Sequence, residues 1–423
     1  MKEDILVIGG GISGIMASLL ASQAGRKVYL AEKTSMIGGN AIKFEEVYPN
    51  MECSTCMLAP KQQDLLQDGN IELLTMADIL SVEGQEGNFR VKIRSRAGYV
   101  DSAACIGCGT CFDACPVSVP NDFEEKMIDR KAIFVPCSGA LPNVPIIDTE
   151  NCLRFTKDEN CTLCKESCMF EAVDFEMNDK EMELEVGAII IATGFEEFDA
   201  SVLENIGHGR IENVYSSFEF ERLYASNGPT TGVVQLRDES KPKSFAMIHC
   251  IGRDEVGYCS GVCCMNLMKL SRYAREKFHD APIIHIYRDL CLPGKKYESF
   301  YKDTIAENVK FIKGSDIEIS EQNGSAKIDF KSGEKIESLE ADMVILGNAM
   351  IPSSSSNQII DRLKVEKDEH GFIDSDPIVN IETKVPGVYV IGCAQGPKDI
   401  ALSTSQAEAA VGMILQKTPV LAK

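Results

Sequence analysis

The sequence predicts an α/β protein of more than one domain, with parallel sheets and a small cysteine-rich α+β insert. Three observations predict it. A short apolar run, Ile5 to Ile8, ends in a glycine-rich turn and passes into a stretch with Ala and Leu at helical spacing through Ala24. Two tight groups of cysteines interrupt the chain between residues 105 and 168. Further short apolar runs at 188–192, 245–249, 342–346 and 386–391 each lead into glycine or cysteine, as buried parallel strands do.

A chain of 423 residues with 44% hydrophobic content exceeds what one core usually serves. The segments 1–98, 179–205 and 341–423 read as parts of one nucleotide-binding domain, 99–178 as the insert, and 206–340 as a second domain of similar type. A net charge of −21 argues against nucleic acid as a partner, because like charges repel at moderate salt. The first 25 residues show no small-residue cleavage site, and runs such as Val186 to Ala192 fall far short of the roughly 20 residues a spanning helix needs. A cytoplasmic protein without a transmembrane segment is expected.

In the first element, Gly9 permits the tight turn, Gly11 lets the backbone approach a pyrophosphate, and Gly14 lets the helix pack on the strand, with Ser13 between them. The second strand runs from Lys27 to Ala31 and ends at Glu32-Lys33; a carboxylate there accepts from a ribose hydroxyl. Gly38-Gly39 follow closely. Together with Ala192-Thr193-Gly194 and the run Pro386 to Gly392, this pattern resembles the two-dinucleotide-binding-domain flavoproteins such as thioredoxin reductase, and implies FAD. Cys393 stands where those proteins usually place an aspartate for the ribityl chain.

Seventeen cysteines in tight groups point to metal rather than to disulfide staples. Cys105, Cys108, Cys111 and Cys115-Pro116 match the bacterial ferredoxin ligand run, whose fourth cysteine serves a neighbouring cluster. Cys152, Cys161, Cys164 and Cys168 form the second set, with Met169 in place of the usual proline. The crossover predicts one [4Fe–4S] cluster on Cys105, Cys108, Cys111 and Cys168 and another on Cys115, Cys152, Cys161 and Cys164; zinc is the competing reading. Cys250, Cys259, Cys263 and Cys264 form a third group, with Cys259 and Cys263 on one face if the segment is helical. A third [4Fe–4S] cluster is expected there, against the alternative of small buried core residues.

Cys53, Cys56 and Lys61 are the candidate catalytic residues near the expected flavin, the cysteines either as a dithiol that exchanges electrons with it, as half a ligand set, or with no redox role. Cys137, Cys291 and Cys393 have no assigned metal role, and the five histidines read as ordinary surface or core residues. The second domain lacks a glycine fingerprint after Phe245 to His249; Cys250-Ile-Gly252-Arg stands instead, so nicotinamide binding is expected to be lost.

The order of these pieces resembles the A subunit of heterodisulfide reductase. The resemblance rests on Ile5 to Gly14, Cys53-Ser-Thr-Cys56 through Lys61, Tyr99 to Asp101, Lys131 to Pro136, Asn151 to Leu153, His249 to Asp254, Tyr258 to Ser260, Cys263 to Met265 and Gly392 to Asp399. It implies an FAD and iron–sulfur electron-transfer component that joins other redox subunits in a hetero-oligomer, accepts ferredoxin as a partner and splits electron pairs between two acceptors. Fuller members of that family carry extra cysteine-rich modules, and shorter ones resemble subunits of quinone-interacting oxidoreductases. The alternatives are a free-standing flavoenzyme reducing a disulfide or enoyl thioester, and a relay that only conducts.

Overall fold

The computed structural model describes residues 2–157 and 159–417, so the end of the 341–423 segment lies outside the described residues. Two parallel five-stranded sheets dominate it. In the first, neighbouring strands follow the order Val388–Val390, Ala188–Ile191, Ile5–Ile8, Val28–Ala31, Ile71–Leu74. Each strand is a short apolar run because both sheet faces are covered. Ile5 and Val7 face the helices Ile12–Gln23 and Ile400–Lys417 through Ile15, Leu19, Ala407 and Val411. Leu6 and Ile8 face the other way, onto Phe89, Val91, Ile93 and Leu184 of a three-stranded antiparallel layer.

The second sheet runs in the order Val214–Ser216, Met343–Asn348, Phe245–Ile251, Ile283–Tyr287, Val309–Lys313. One face packs on the helix Cys263–Lys277 through Met247, Leu267 and Leu270, and the other on Ile319, Ile328 and Phe330 of a second antiparallel layer. On sequence alone the chain returns to the first domain at residue 341. The structure instead pairs Met343–Leu346 with Phe245–Ile248, so this strand completes the second sheet. An apolar run ending in glycine reads identically in either sheet, which is why periodicity does not separate them.

Between the antiparallel strands at Asn88–Ser95 and Lys180–Val186 the chain leaves to form the insert. Its helices, Thr110–Ala114, Leu153–Thr156 and Leu163–Glu166, are about one turn each, and a small core of Val100, Ala132, Ile133, Ile147, Ala172 and Val173 gathers the cysteines around it. One part of the segment departs from the rest. Phe123, Cys137 and Ala140 join the core of the first domain.

Candidate functional site

The glycine turn is built for close approach. Gly9 has φ +108, and a Cβ there would stand 2.3 Å from the Ala192 carbonyl oxygen; one on Gly14 would meet the Gly9 oxygen at 1.9 Å. Gly11, by contrast, faces open space except for the Gly39 Cα at 4.0 Å. The helix that begins at Ile12 has no side-chain cap and no acid in its first turn, which suits an anion at its N-terminus. Glu32 accepts from the Gly10 N–H at 2.6 Å and from the Thr34 N–H and hydroxyl at 2.8 Å each, fixing its carboxylate at the mouth of the turn. Lys33 is exposed, and its carbonyl accepts from Arg96.

Distant segments close round this turn. Gly38 donates its N–H to the Gly10 carbonyl at 2.7 Å. Thr193 shares a hydrogen bond with Ser356 at 2.7 Å, and Gly194 takes φ +75. Gly392, φ +61, sits so near Ser13 that a Cβ would stand 2.2 Å from its hydroxyl oxygen, and its N–H donates to Gln406 at 2.8 Å. Cys393 follows at the ribityl position of the resemblance, its thiol raised by burial. The glycine and acid positions thus converge on one cradle whose shape and open helix end fit a dinucleotide.

The insert's eight cysteines divide between two cavities. One is lined by Cys105, Cys108, Cys111 and Cys168 with Val100, Ile106 and Val173. The other is lined by Cys115, Cys152, Cys161 and Cys164 with Pro116, Ile133 and Phe175. This is the grouping expected from the ligand runs. Burial pushes the Cys111 thiol up to about 12 and that of Cys164 to about 11, with the neighbouring thiols adding to both. Four thiols facing one apolar space disfavour thiolates until cations balance them, which iron would do. The Gly107 N–H already points at the Cys105 sulfur at 3.4 Å. Among the described residues no three His, Cys, Asp or Glu side chains converge on a single-ion position.

The third group assembles differently from the sequence expectation. The helix starts at Cys263, so Cys259 lies in the preceding loop and not on a shared helical face; Gly257 and Gly261, φ +80 and +70, hold that loop open. Cys250 takes φ +64 near the end of its strand. Cys263 is raised by its bond with Cys264 and by burial, with Cys250 and Cys259 adding to the effect. Cys264 is lowered, because its sulfur accepts from Cys263 and lies beside His249 and the Cys291 N–H. Tyr48 links this group to the cradle: burial raises its hydroxyl, and Asp399, Tyr297, Cys263 and Cys393 add to the effect. Tyr297 in turn hydrogen-bonds Asp399, which accepts from the Leu402 N–H at the start of the last helix.

Cys53 and Cys56 form a disulfide, with Cys53 at the N-cap of the helix Ser54–Gln67 and Cys56 exposed. Lys61 is half-buried on that helix. Sequence reasoning misses several groups. Arg222, fully buried, holds Glu124 through two bonds of 2.8 and 3.0 Å, and buried Lys269 meets Glu221 at 2.6 Å. His249 and His285 are core residues, as one of the two sequence readings allowed, but they are paired: their rings bond at 2.7 Å inside the second sheet, and burial holds His285 well below the usual imidazole range. The sequence signal for such pairs is no more than a charged or polar residue inside an apolar stretch.

The pyridine nucleotide-disulphide oxidoreductase family matches residues 3–411. The A subunit of the H2:CoB-CoM heterodisulfide,ferredoxin reductase of Methanothermobacter thermautotrophicus is 38% identical over 97% of this chain, and an iron-sulfur A subunit of the CoB–CoM heterodisulfide reductase of Methanopyrus kandleri is 40% identical over 97%. The chain spans 63% of the length of each. The fold is similar to that of thioredoxin reductase from T. acidophilum, with a TM-score of 0.55 at 14% identity over 99% of both chains, and to the Lactococcus lactis enzyme, with 0.53 at 14% over 98% of both. No described helix is long and apolar enough to cross a membrane. With its cradle, its two parallel sheets and these relatives, the chain is an oxidoreductase that belongs to the pyridine nucleotide-disulphide oxidoreductase family and is similar to heterodisulfide reductase A subunits.

Proposed function

We propose that the chain is the FAD and iron–sulfur electron-transfer component of a multi-subunit oxidoreductase. The observation that carries this is the division of eight insert cysteines between two cavities, four thiols to each. Gly9, Gly11, Ser13, Gly14 and Glu32 would hold the adenosine pyrophosphate, Gly38 and Gly39 its flank, and Ala192, Thr193, Gly194, Gly392 and Cys393 the flavin end. Once bound, FAD supplies both two-electron and one-electron redox chemistry. Beside the third cysteine group, Tyr48 packs edge-on against Tyr297, and the Tyr297 hydroxyl donates to Asp399. Cys250, Cys259, Cys263 and Cys264 are proposed to hold a third cluster in the position a nicotinamide would take in the second domain.

The relatives' names support ferredoxin and further redox subunits as partners and a hetero-oligomer as the working form. Splitting of electron pairs between two acceptors is the finer form of this reading. The test is anaerobic iron and flavin quantitation on the purified chain, followed by reconstitution with ferredoxin. One FAD with about eight to twelve iron atoms is expected from two or three four-iron clusters; zinc in place of iron overturns the reading.

A second reading is favoured by the Cys53–Cys56 disulfide with its exposed sulfur. In it, the isolated chain reduces a disulfide substrate through that pair. Turnover of a small aromatic disulfide by the isolated chain, abolished in Cys53→Ser, would select it.

A further inference from the structure

A fifth thiol stands in the third group. Cys291 lies on the segment after the strand Ile283–Tyr287 and is half-buried. Its N–H donates to the Cys264 sulfur at 3.5 Å, and that sulfur also lies 3.8 Å from the Asp289 carbonyl oxygen. Asp289 pairs with Arg253 at 3.0 Å, tying the segment to the turn just after Cys250. A Cβ placed on Gly261 would come within 3.9 Å of the Cys291 sulfur, so the loop that carries Cys259 runs directly past it.

Of the four cysteines first grouped here, Cys259 alone is exposed, and it sits between two glycines with positive φ. Its sulfur is therefore the one of the four most open to solvent. The sheltered thiol next to it is Cys291.

We propose that Cys291 is a reserve iron ligand that replaces Cys259 at the third cluster. The inference rests on the reading that Cys250, Cys259, Cys263 and Cys264 hold a cluster. In the exchange the iron–sulfur bond to Cys259 breaks and its thiolate takes a proton from solvent. The Cys291 thiol gives up a proton to solvent and bonds the same iron. No electron is gained or lost, and the iron count is unchanged.

The experiment compares the full-length chain with Cys259→Ser, Cys291→Ser and the double variant. Each is purified anaerobically, analysed for FAD and iron, and titrated reductively with paramagnetic resonance. Unmodified protein with about eight iron atoms removes the third cluster and with it the reading, whatever the variants do. With about twelve in the unmodified chain, both single variants are expected to keep about twelve and the double variant to fall to about eight. Cys259→Ser should also show a shifted cluster signal. Alkylation read by mass spectrometry is expected to label Cys291 in the unmodified chain and to leave it protected in Cys259→Ser. Loss of four irons from either single variant that retains its FAD overturns the exchange, as does labelling of Cys291 in Cys259→Ser. The FAD content shows that each variant has folded.

Discussion

Gly14 has the least room in the nucleotide cradle, since the Gly9 oxygen would lie 1.9 Å from any Cβ placed on it. Gly14→Ala is therefore expected to push the helix off the strand and to lower the FAD content of purified protein several-fold, read by absorbance after release. A second residue acts through pH. Burial lifts the Glu197 carboxyl from 4.5 to about 7, against the hydrogen bond it accepts from Ser217 at 2.7 Å. The folded chain thus keeps a proton that the unfolded chain releases, so this contribution to stability is present below pH 4.5 and is lost as pH rises towards 7. Melting temperatures measured across that window should fall less steeply in Glu197→Gln than in the unmodified chain. The glycines of the turn and the grouping of the insert cysteines are legible in the sequence because both are tied to spacing over a few positions. Cys291 is not, because what marks it is a neighbour 27 positions away in the chain.

Elements whose ends carry a local signal are as readable as those glycines. The helix Ser217–Tyr224 opens with a capping box, in which Ser216 accepts from the Glu219 N–H and Glu219 accepts from the Ser216 N–H. The whole pattern fits within one turn of sequence. Ser216→Ala should cost about 1 kcal/mol in urea unfolding. Elements without such a signal are misplaced by spacing alone. Met343–Asn348 lacks any mark of which sheet it joins, and Cys259 falls outside the helix that its spacing to Cys263 suggests, because that helix starts only at Cys263. In both cases tertiary pairing decides, and pairing leaves no trace in periodicity.

Across the whole molecule, three parts of the chain meet at buried ion pairs. Arg222, from the helix beside the second sheet, bonds Glu124 of the insert and the Lys43 carbonyl at 3.0 Å next to the cradle. Nearby, Lys269 donates to the Glu46 carbonyl at 3.1 Å as well as to Glu221, and the Tyr273 hydroxyl accepts from the Glu46 N–H at 2.8 Å. Glu124→Ala leaves the Arg222 charge buried without its carboxylate, and should cost about 3–5 kcal/mol in chemical unfolding. Partners 98 positions apart make this pair invisible to sequence reasoning. The pair anchors the insert, the cradle and the second sheet of the molecule to one another at a single buried point. Electrons crossing the molecule would travel over fixed gaps and would not wait for a limb to swing, so glycerol added to the buffer should leave the internal transfer rate unchanged.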